Sequence, residues 1–304
     1  MESRDQVRGL YDTHIHPGPD PYARVADAYE VVEEAKRNEM GGVVLKVYEF
    51  MTPQLATLLT RRVPGIDVVG AVCLEGTQGG ISPRATEVAI RAGAKVVWLP
   101  ALDSEWNDAV NARYQAEARA TVTHLDGLRN RSDPRGRLSP VRNGVVTPEA
   151  LEVFGIVGQA DIVLQSGHLN EAHRQLVAEA ALAQGVRKFV LTHANASWNY
   201  VPIEQARALS RYDNVYFEIC ALPLLPWIDN QRPEEVGAFV RAVGPERIVL
   251  GTDAGVSWTD RGIMNPHPVE ALAALVGVLK RQGFGQAEIE LMGRQNPRRL
   301  FNLD

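Results

Sequence analysis

Cysteine is nearly absent: there are two in 304 residues, Cys73 and Cys220, far apart and each within an apolar run. That excludes a disulfide framework and a thiolate zinc site, and casts both thiols as small buried hydrophobes. Long hydrophobic runs are missing too, with no stretch of about 18 apolar residues to span a membrane. The polar start Met1-Glu2-Ser3-Arg4-Asp5 leads into no apolar leader, so a cytoplasmic protein without a membrane partner is expected. There is no basic field either: 32 Lys and Arg face 37 Asp and Glu, a net charge of −5, which argues against nucleic acid as a partner. What remains is an ordinary soluble composition, 45% hydrophobic and 23% charged, in a chain long enough for one large α/β unit.

Short apolar runs recur along the chain, each followed by a segment of helical period. Residues 9–14, 43–47, 68–74 and 95–99 read as the first four strands. Between them Thr52-Pro53 and Ser82-Pro83 supply a hydroxyl cap with proline at the first helical position, and Gly41-Gly42 and Gly93 stop helices. Residues 162–165, 188–192, 215–219 and 247–250 read as strands five to eight, with helices opened by Thr147-Pro148 and Asn170. Eight strands alternating with eight helical segments predict a parallel sheet covered on its outer face, closed as a (β/α)8 TIM barrel over residues 1–304. Regularity breaks at residues 101–146, a polar stretch after strand four expected to be a long insertion and a lid candidate. Within it Asn143-Gly144 between apolar residues predicts a small hairpin.

The chemistry starts with Tyr11-Asp12-Thr13-His14-Ile15-His16-Pro17-Gly18-Pro19. Residues two apart on a strand point the same way, so His14 and His16 can offer both imidazoles to one metal ion, and the prolines place them at the strand's end. In a barrel, catalytic side chains gather at such ends. Strand two contributes Lys46, strand five His168, strand six His193 and strand eight Asp253, in Leu250-Gly251-Thr252-Asp253-Ala254-Gly255. On strand seven, Glu218 rather than Cys220 is expected to face the interior.

Four groups of residues carry a resemblance to the amidohydrolase superfamily: His14-Ile15-His16, Ser166-Gly167-His168, Thr192-His193 and Gly251-Thr252-Asp253. The closing Asn296-Pro297-Arg298-Arg299-Leu300-Phe301 is similar to the ending common in that group. The resemblance implies that His14, His16 and Asp253 hold a divalent metal, zinc or else manganese or iron, with His168 and His193 on the same ion or a second one. It also implies that Asp253 relays a proton from water to the leaving group and that His193 or His168 assists. One departure concerns the bridging lysine that binuclear members carry on strand four: Trp98 stands there, Lys95 comes too early, and Lys46 sits on strand two instead. Lys46 is open to three roles: a carbamate bridging two metals, a cation that polarises or anchors substrate, or a partner for a buried carboxylate such as Glu218.

Substrate contacts are expected from Glu218, from Trp198, Asn199 and Tyr200 after strand six, from Trp258 and Arg261 after strand eight, and from Trp106 in the insertion. His124 and His267 lie in loop-like segments that can touch substrate, and His173 falls in a helix as a surface or packing residue. That mixture suits a small flat or cyclic molecule with an acidic group. The expectation is therefore a metal-dependent hydrolase of amides, cyclic amides or esters, with homo-oligomers common in the group. A decarboxylase or hydratase of an aromatic or unsaturated acid, and a non-catalytic ligand-binding barrel, are the alternatives.

Overall fold

Buried strand residues fall into two alternating sets. Val43, Leu45, Val97, Leu99, Leu164 and Leu191 join one large cluster with the helices, while Val44, Val96, Trp98, Val163, Val190, Tyr216 and Val249 join a second. With both faces apolar, the strands read as continuous hydrophobic runs, as parallel strands covered on both sides do.

The computed structural model describes residues 3–116, 137–258 and 263–303. The chain enters through α1 (Ser3–Val7) and β1 (Tyr11–Ile15), then α2 (Ala28–Arg37), β2 (Gly42–Leu45) and α3 (Pro53–Arg62). Next come β3 (Asp67–Val69) and β4 (Ala71–Cys73) on either side of Gly70, α4 (Pro83–Arg91), β5 (Val96–Trp98) and α5 (Glu105–Ala116). The short β6 (Val141–Arg142) and β7 (Val145–Val146) precede α6 (Pro148–Ala160), β8 (Val163–Gln165), α7 (Glu171–Ala183) and β9 (Phe189–Leu191). The last part holds α8 (Ile203–Leu209), β10 (Val215–Cys220), α9 (Pro233–Val243), β11 (Ile248–Gly251), the pair β12 (Ser257–Trp258) and β13 (Ile263–Met264), α10 (Pro268–Arg281), α11 (Gln286–Glu290) and α12 (Asn296–Phe301).

The main strands are all parallel and form two sheets, in the orders β1-β2-β3 and β11-β10-β9-β8-β5-β4. β3 runs into β4 through Gly70, where a Cβ would stand 2.4 Å from the Pro53 Cα, so the start of α3 presses against bare backbone. At the other edge, the Asp253 amide donates to the His14 carbonyl at 2.8 Å and the His16 amide to the Ala254 carbonyl at 2.8 Å, which ties the end of β1 to the segment after β11. Asn296 in α12 clamps the start of β11, donating from Nδ2 to the Ile248 carbonyl at 2.7 Å.

All eight expected strand runs are present, and Ser82 and Thr147 cap α4 and α6 as expected, accepting from the amides of Ala85 and Ala150. Thr52 does not cap α3; its hydroxyl donates to the Leu45 carbonyl at 2.8 Å and accepts from the Ala71 amide at 2.9 Å, joining β2 to β4. α2 ends at Arg37 under an Asn38 cap, short of Gly41-Gly42, whose bare backbone makes room for the Tyr11 ring. The 101–146 stretch is not irregular throughout. It contains α5, whose Trp106 and Val110 pack on Trp198 and Leu222, and the Asn143-Gly144 hairpin, with φ of 52° and 74° at its turn. No helix among the described residues is long and apolar enough to cross a membrane.

Candidate metal centre

The inward-facing set of strand residues changes character toward the strands' C-terminal ends. Val44 is followed two positions on by Lys46 and then Tyr48, Val163 by Gln165, Val190 by Thr192, and Tyr216 by Glu218 and Cys220, all buried. Period-two geometry therefore delivers a polar cluster beyond the apolar residues on the same face of the strands.

Three ligand-type atoms meet at its centre. His14 Nε2 lies 3.2 Å from His16 Nε2 and 3.1 Å from Asp253 Oδ1, and His16 Nε2 lies 3.0 Å from the same oxygen. Edges of about 3 Å are those of ligand atoms sharing one small divalent ion with bonds near 2.1 Å. The wiring behind His14 fits that role. Its Nδ1 donates to Glu218 Oε2 at 2.9 Å, which holds a proton on Nδ1 and turns Nε2 toward the other two donors. Two imidazole nitrogens and a carboxylate oxygen, all buried and converging on one point, are nitrogen and oxygen donors of the kind that suit a divalent metal.

A second pair lies alongside. His168 Nε2 is 3.1 Å from His193 Nε2, and the His193 ring stacks 5.7 Å from that of His14. His168 is held through Nδ1 by Asn107 Oδ1 at 3.3 Å, whereas the buried Nδ1 atoms of His16 and His193 have no partner among the described residues. Lys46 Nζ reaches His14 Nε2 at 3.0 Å and lies over the rings of Tyr48 and Trp98, 4.9 and 5.2 Å from their centroids. Among the described residues it forms no ion pair with a carboxylate, Glu218 included.

Backbone geometry at the site is costly. His193 and Asp253 have φ of 29° and 57°, a left-handed region that non-glycine residues enter at about 1–3 kcal/mol. Gly167, with φ of 58°, precedes His168 where a Cβ would stand 2.2 Å from the Leu99 carbonyl oxygen, so only glycine lets that turn close.

Burial shapes the electrostatics. It holds His16 well below the usual imidazole range, helped by the charges of Arg24, Lys46 and His14, and does the same to His193 beside His168, His14 and Lys46. Burial raises Asp253 despite the pull of His14 and Lys46. It would raise Glu218 as well, but His14, the His193 amide and Lys46 outweigh it and leave that carboxyl below its ordinary value. Asp12 is pushed up to about 8 by burial, although Thr252 and the His14 amide donate to it.

Glu218 is fully buried and both of its oxygens are engaged. Oε1 accepts from Thr13 Oγ1 and Gln165 Nε2, and Oε2 from His14 Nδ1 and the His193 amide. Cys220 shares its side of the strand, with Sγ 3.6 Å from Glu218 Oε2, because residues two apart face alike. Trp198 packs edge-on to His193 with Nε1 3.5 Å from its Nε2, and Asn199 ties the Gly167 and Thr192 carbonyls together. His267 sits on the outside, paired with Glu34 at 3.0 Å. Arg261 and His124 lie outside the described residues, as does the Trp258 side chain. Tyr48 was not expected here: its ring stacks 4.6 Å from His16 and its hydroxyl lies 3.2 Å from Nε2. Its position two residues after Lys46 is the signal that finds it.

The chain resembles several solved structures over nearly its full length. An amidohydrolase from Pseudomonas aeruginosa superposes with a TM-score of 0.66 at 10% identity, covering 99% of this chain and 98% of that one. A putative 2-pyrone-4,6-dicarboxylic acid hydrolase from Pseudomonas putida gives 0.60 at 14% identity, covering 97% and 98%. A 2,6-dihydroxybenzoate decarboxylase from Rhizobium gives 0.55 at 14%, covering 98% and 99%. At these identities the likeness is one of fold: α/β, with the parallel sheet of the amidohydrolase type. No curated protein matches in sequence. Residues 9–218, more than half of the chain, match a family of unknown function, DUF6282, and the protein belongs to that family.

Proposed function

We propose that this protein is a metal-dependent hydrolase of the amidohydrolase superfamily, cleaving an amide, cyclic amide or ester bond of a small metabolite. The convergence of His14 Nε2, His16 Nε2 and Asp253 Oδ1 within 3.2 Å of one another carries the reading. The run through Gly70 and the bridge from Ile15 to Ala254 support a closed (β/α)8 TIM barrel, read as a single domain over residues 1–304. Placing the lysine on strand two makes this an atypical branch.

His14, His16 and Asp253 would hold the first ion, zinc by preference, with His168 and His193 facing it as ligands for the same ion or a second. When bound, such an ion polarises a carbonyl and brings the pKa of a water toward neutrality. Asp253 accepts the attacking water's proton at its carboxylate and passes it to the leaving nitrogen or oxygen. Burial keeps the Tyr48 phenol well above its ordinary pKa, so its hydroxyl stays a donor beside His16 and can steady the developing oxyanion. His193, kept neutral, assists the proton transfer, and Trp198 walls its side of the cavity. The indole of Trp106 donates to the Trp198 carbonyl at 2.9 Å, which supports a lid role for the 101–146 stretch. Trp258 and Arg261 are proposed to complete the substrate wall. A cytoplasmic homo-oligomer acting on a small molecule completes the reading.

Lys46 decides between this and a second reading. Carboxylated by carbon dioxide, Lys46 would help hold two ions and favour hydrolysis; left as an ammonium over Tyr48 and Trp98, it would contact substrate in a one-ion site, as a decarboxylase or hydratase of an aromatic or unsaturated acid would use it. Elemental analysis of protein purified without chelators, beside His14→Ala and Lys46→Met, tests both. Two equivalents that drop in Lys46→Met support the hydrolase, followed by amide, lactam and ester panels. One equivalent unaffected by that change supports the second reading. No metal after reconstitution with zinc, manganese or iron sinks both.

A further inference from the structure

We infer that Arg24 anchors a carboxylate of the substrate beside the His14, His16 and Asp253 cluster, an inference that rests on reading that cluster as the reacting centre. Arg24 lies on the connection from β1 to α2. Its backbone is fixed against the chain that follows Asp253: the Val25 amide donates to the Gly255 carbonyl at 2.9 Å, and the Ser257 amide to the Ala23 carbonyl at 3.1 Å. The side chain is 2% exposed, and NH2 donates to Asp20 Oδ2 at 2.9 Å. Asp20 is held in turn, accepting from the Tyr22 amide at 2.9 Å.

The rest of the guanidinium lies near the Tyr22 and Tyr48 rings but makes no hydrogen bond among the described residues. Its buried Nε and NH1 have no partner among the described residues, a state that costs stability unless a ligand repays it. Asp20 takes one hydrogen of NH2. Whichever one it takes, the other lies parallel to an N–H of either Nε or NH1, so one two-point edge stays open. That edge matches the two oxygens of a carboxylate.

Position selects the ligand. The guanidinium carbon lies 5.8 Å from the Tyr22 ring centroid and 5.9 Å from that of Tyr48, and Tyr48 itself stacks on His16. A group held at Arg24 thus lies close to the ring that also stacks on the His16 imidazole. A small planar acid can bridge the two, with its carboxylate on Arg24 and its scissile bond over the cluster. One cation already paired to an aspartate suits a monoanion better than a phosphate dianion, which needs more donors.

The test is calorimetric binding of benzoate, benzene-1,3-dicarboxylate, the matched amides and phenyl phosphate to the full chain, with EDTA and after metal reconstitution. Wild type, Arg24→Gln and Arg24→Lys are compared, with circular dichroism and metal content as controls on folding. Wild type should prefer acids over amides by about tenfold or more with EDTA present, Arg24→Gln should lose that preference, and Arg24→Lys should keep part of it. Equal binding of acids and amides, no binding of any acid, or an undiminished preference in a folded Arg24→Gln overturns the assignment. Tighter, Arg24-dependent binding of phenyl phosphate overturns the carboxylate in favour of a phosphoryl group. Because the EDTA arm needs no metal and no turnover, failure to bind metal would count against the hydrolase reading alone.

Discussion

Glu218 Oε2 lies 2.9 Å from His14 Nδ1, and both side chains are fully buried. The same carboxylate gathers Thr13, Gln165 and the His193 amide, so one residue sets the orientation of the first strand's imidazole and of the strand-six turn together. Glu218→Gln replaces one acceptor oxygen with an NH2 that must face donors. Metal affinity should fall by about 10–100-fold, the usual cost of losing an outer-shell partner. Competition against a chromophoric chelator measures it, and an unchanged affinity would mean that His14 is held some other way.

Much of this site was legible in the chain itself. His14-Ile15-His16, His168, His193 and Asp253 could be placed because strand ends are marked by proline, glycine and a change of period, and because imidazoles at such ends carry a clear chemical meaning. Lys46 announced itself as a charge inside Val43-Val44-Leu45. What escaped were roles that depend on partners distant in sequence. The donors that gather on Glu218, from Thr13, His14, Gln165 and the His193 amide, come together only in the fold, and the Thr52 hydroxyl reads as a cap until it joins β2 to β4. Nothing in the sequence around Arg24 reveals that its head is enclosed. α5 escaped because its apolar residues pack on a small satellite cluster around Trp198, leaving a helix with little periodic signal.

Gly255 brings the chain after Asp253 against the His16 backbone. Its φ is 115°, and a Cβ would stand 2.0 Å from the His16 carbonyl oxygen. Gly255→Ala should cost more than about 2 kcal/mol, because a left-handed alanine and a backbone clash add together. Gly283, with φ of 92° but open space around it, is the control: Gly283→Ala should cost only about 1 kcal/mol. Urea midpoints at equal m-values compare them, and equal losses would remove the steric part of the argument.

Tyr11 makes the protein sensitive to alkali. Its hydroxyl donates to Asp67 Oδ2 at 2.5 Å, and burial together with that carboxylate pushes the phenol up to about 12. Below about pH 10 the phenol is protonated in both states; between about 10 and 12 the unfolded chain ionises first, so stability falls as pH rises through that window. Tyr11→Phe should be less stable at neutral pH, having lost the hydrogen bond, yet decline less between pH 10 and 12. Denaturation curves across that range decide, and parallel declines in the two proteins would place the alkaline loss elsewhere.

Asp253 is suited to a cation and poorly suited to the protein without one. It is buried near Glu218, and burial raises its carboxyl above the ordinary range. In metal-free protein that shift means stability falls as pH rises above the unfolded aspartate's value, since the native state holds the proton longer. Asp253→Asn removes the buried charge while keeping its shape. With EDTA at pH 7 the variant should be more stable than wild type by about 1–2 kcal/mol, a gain typical of neutralising a functional residue. With metal restored the order should reverse, because wild type gains binding free energy that the variant cannot. Thermal melts of both proteins with chelator and with zinc give the four values needed. A variant less stable than wild type under both conditions would make Asp253 a structural residue rather than a ligand.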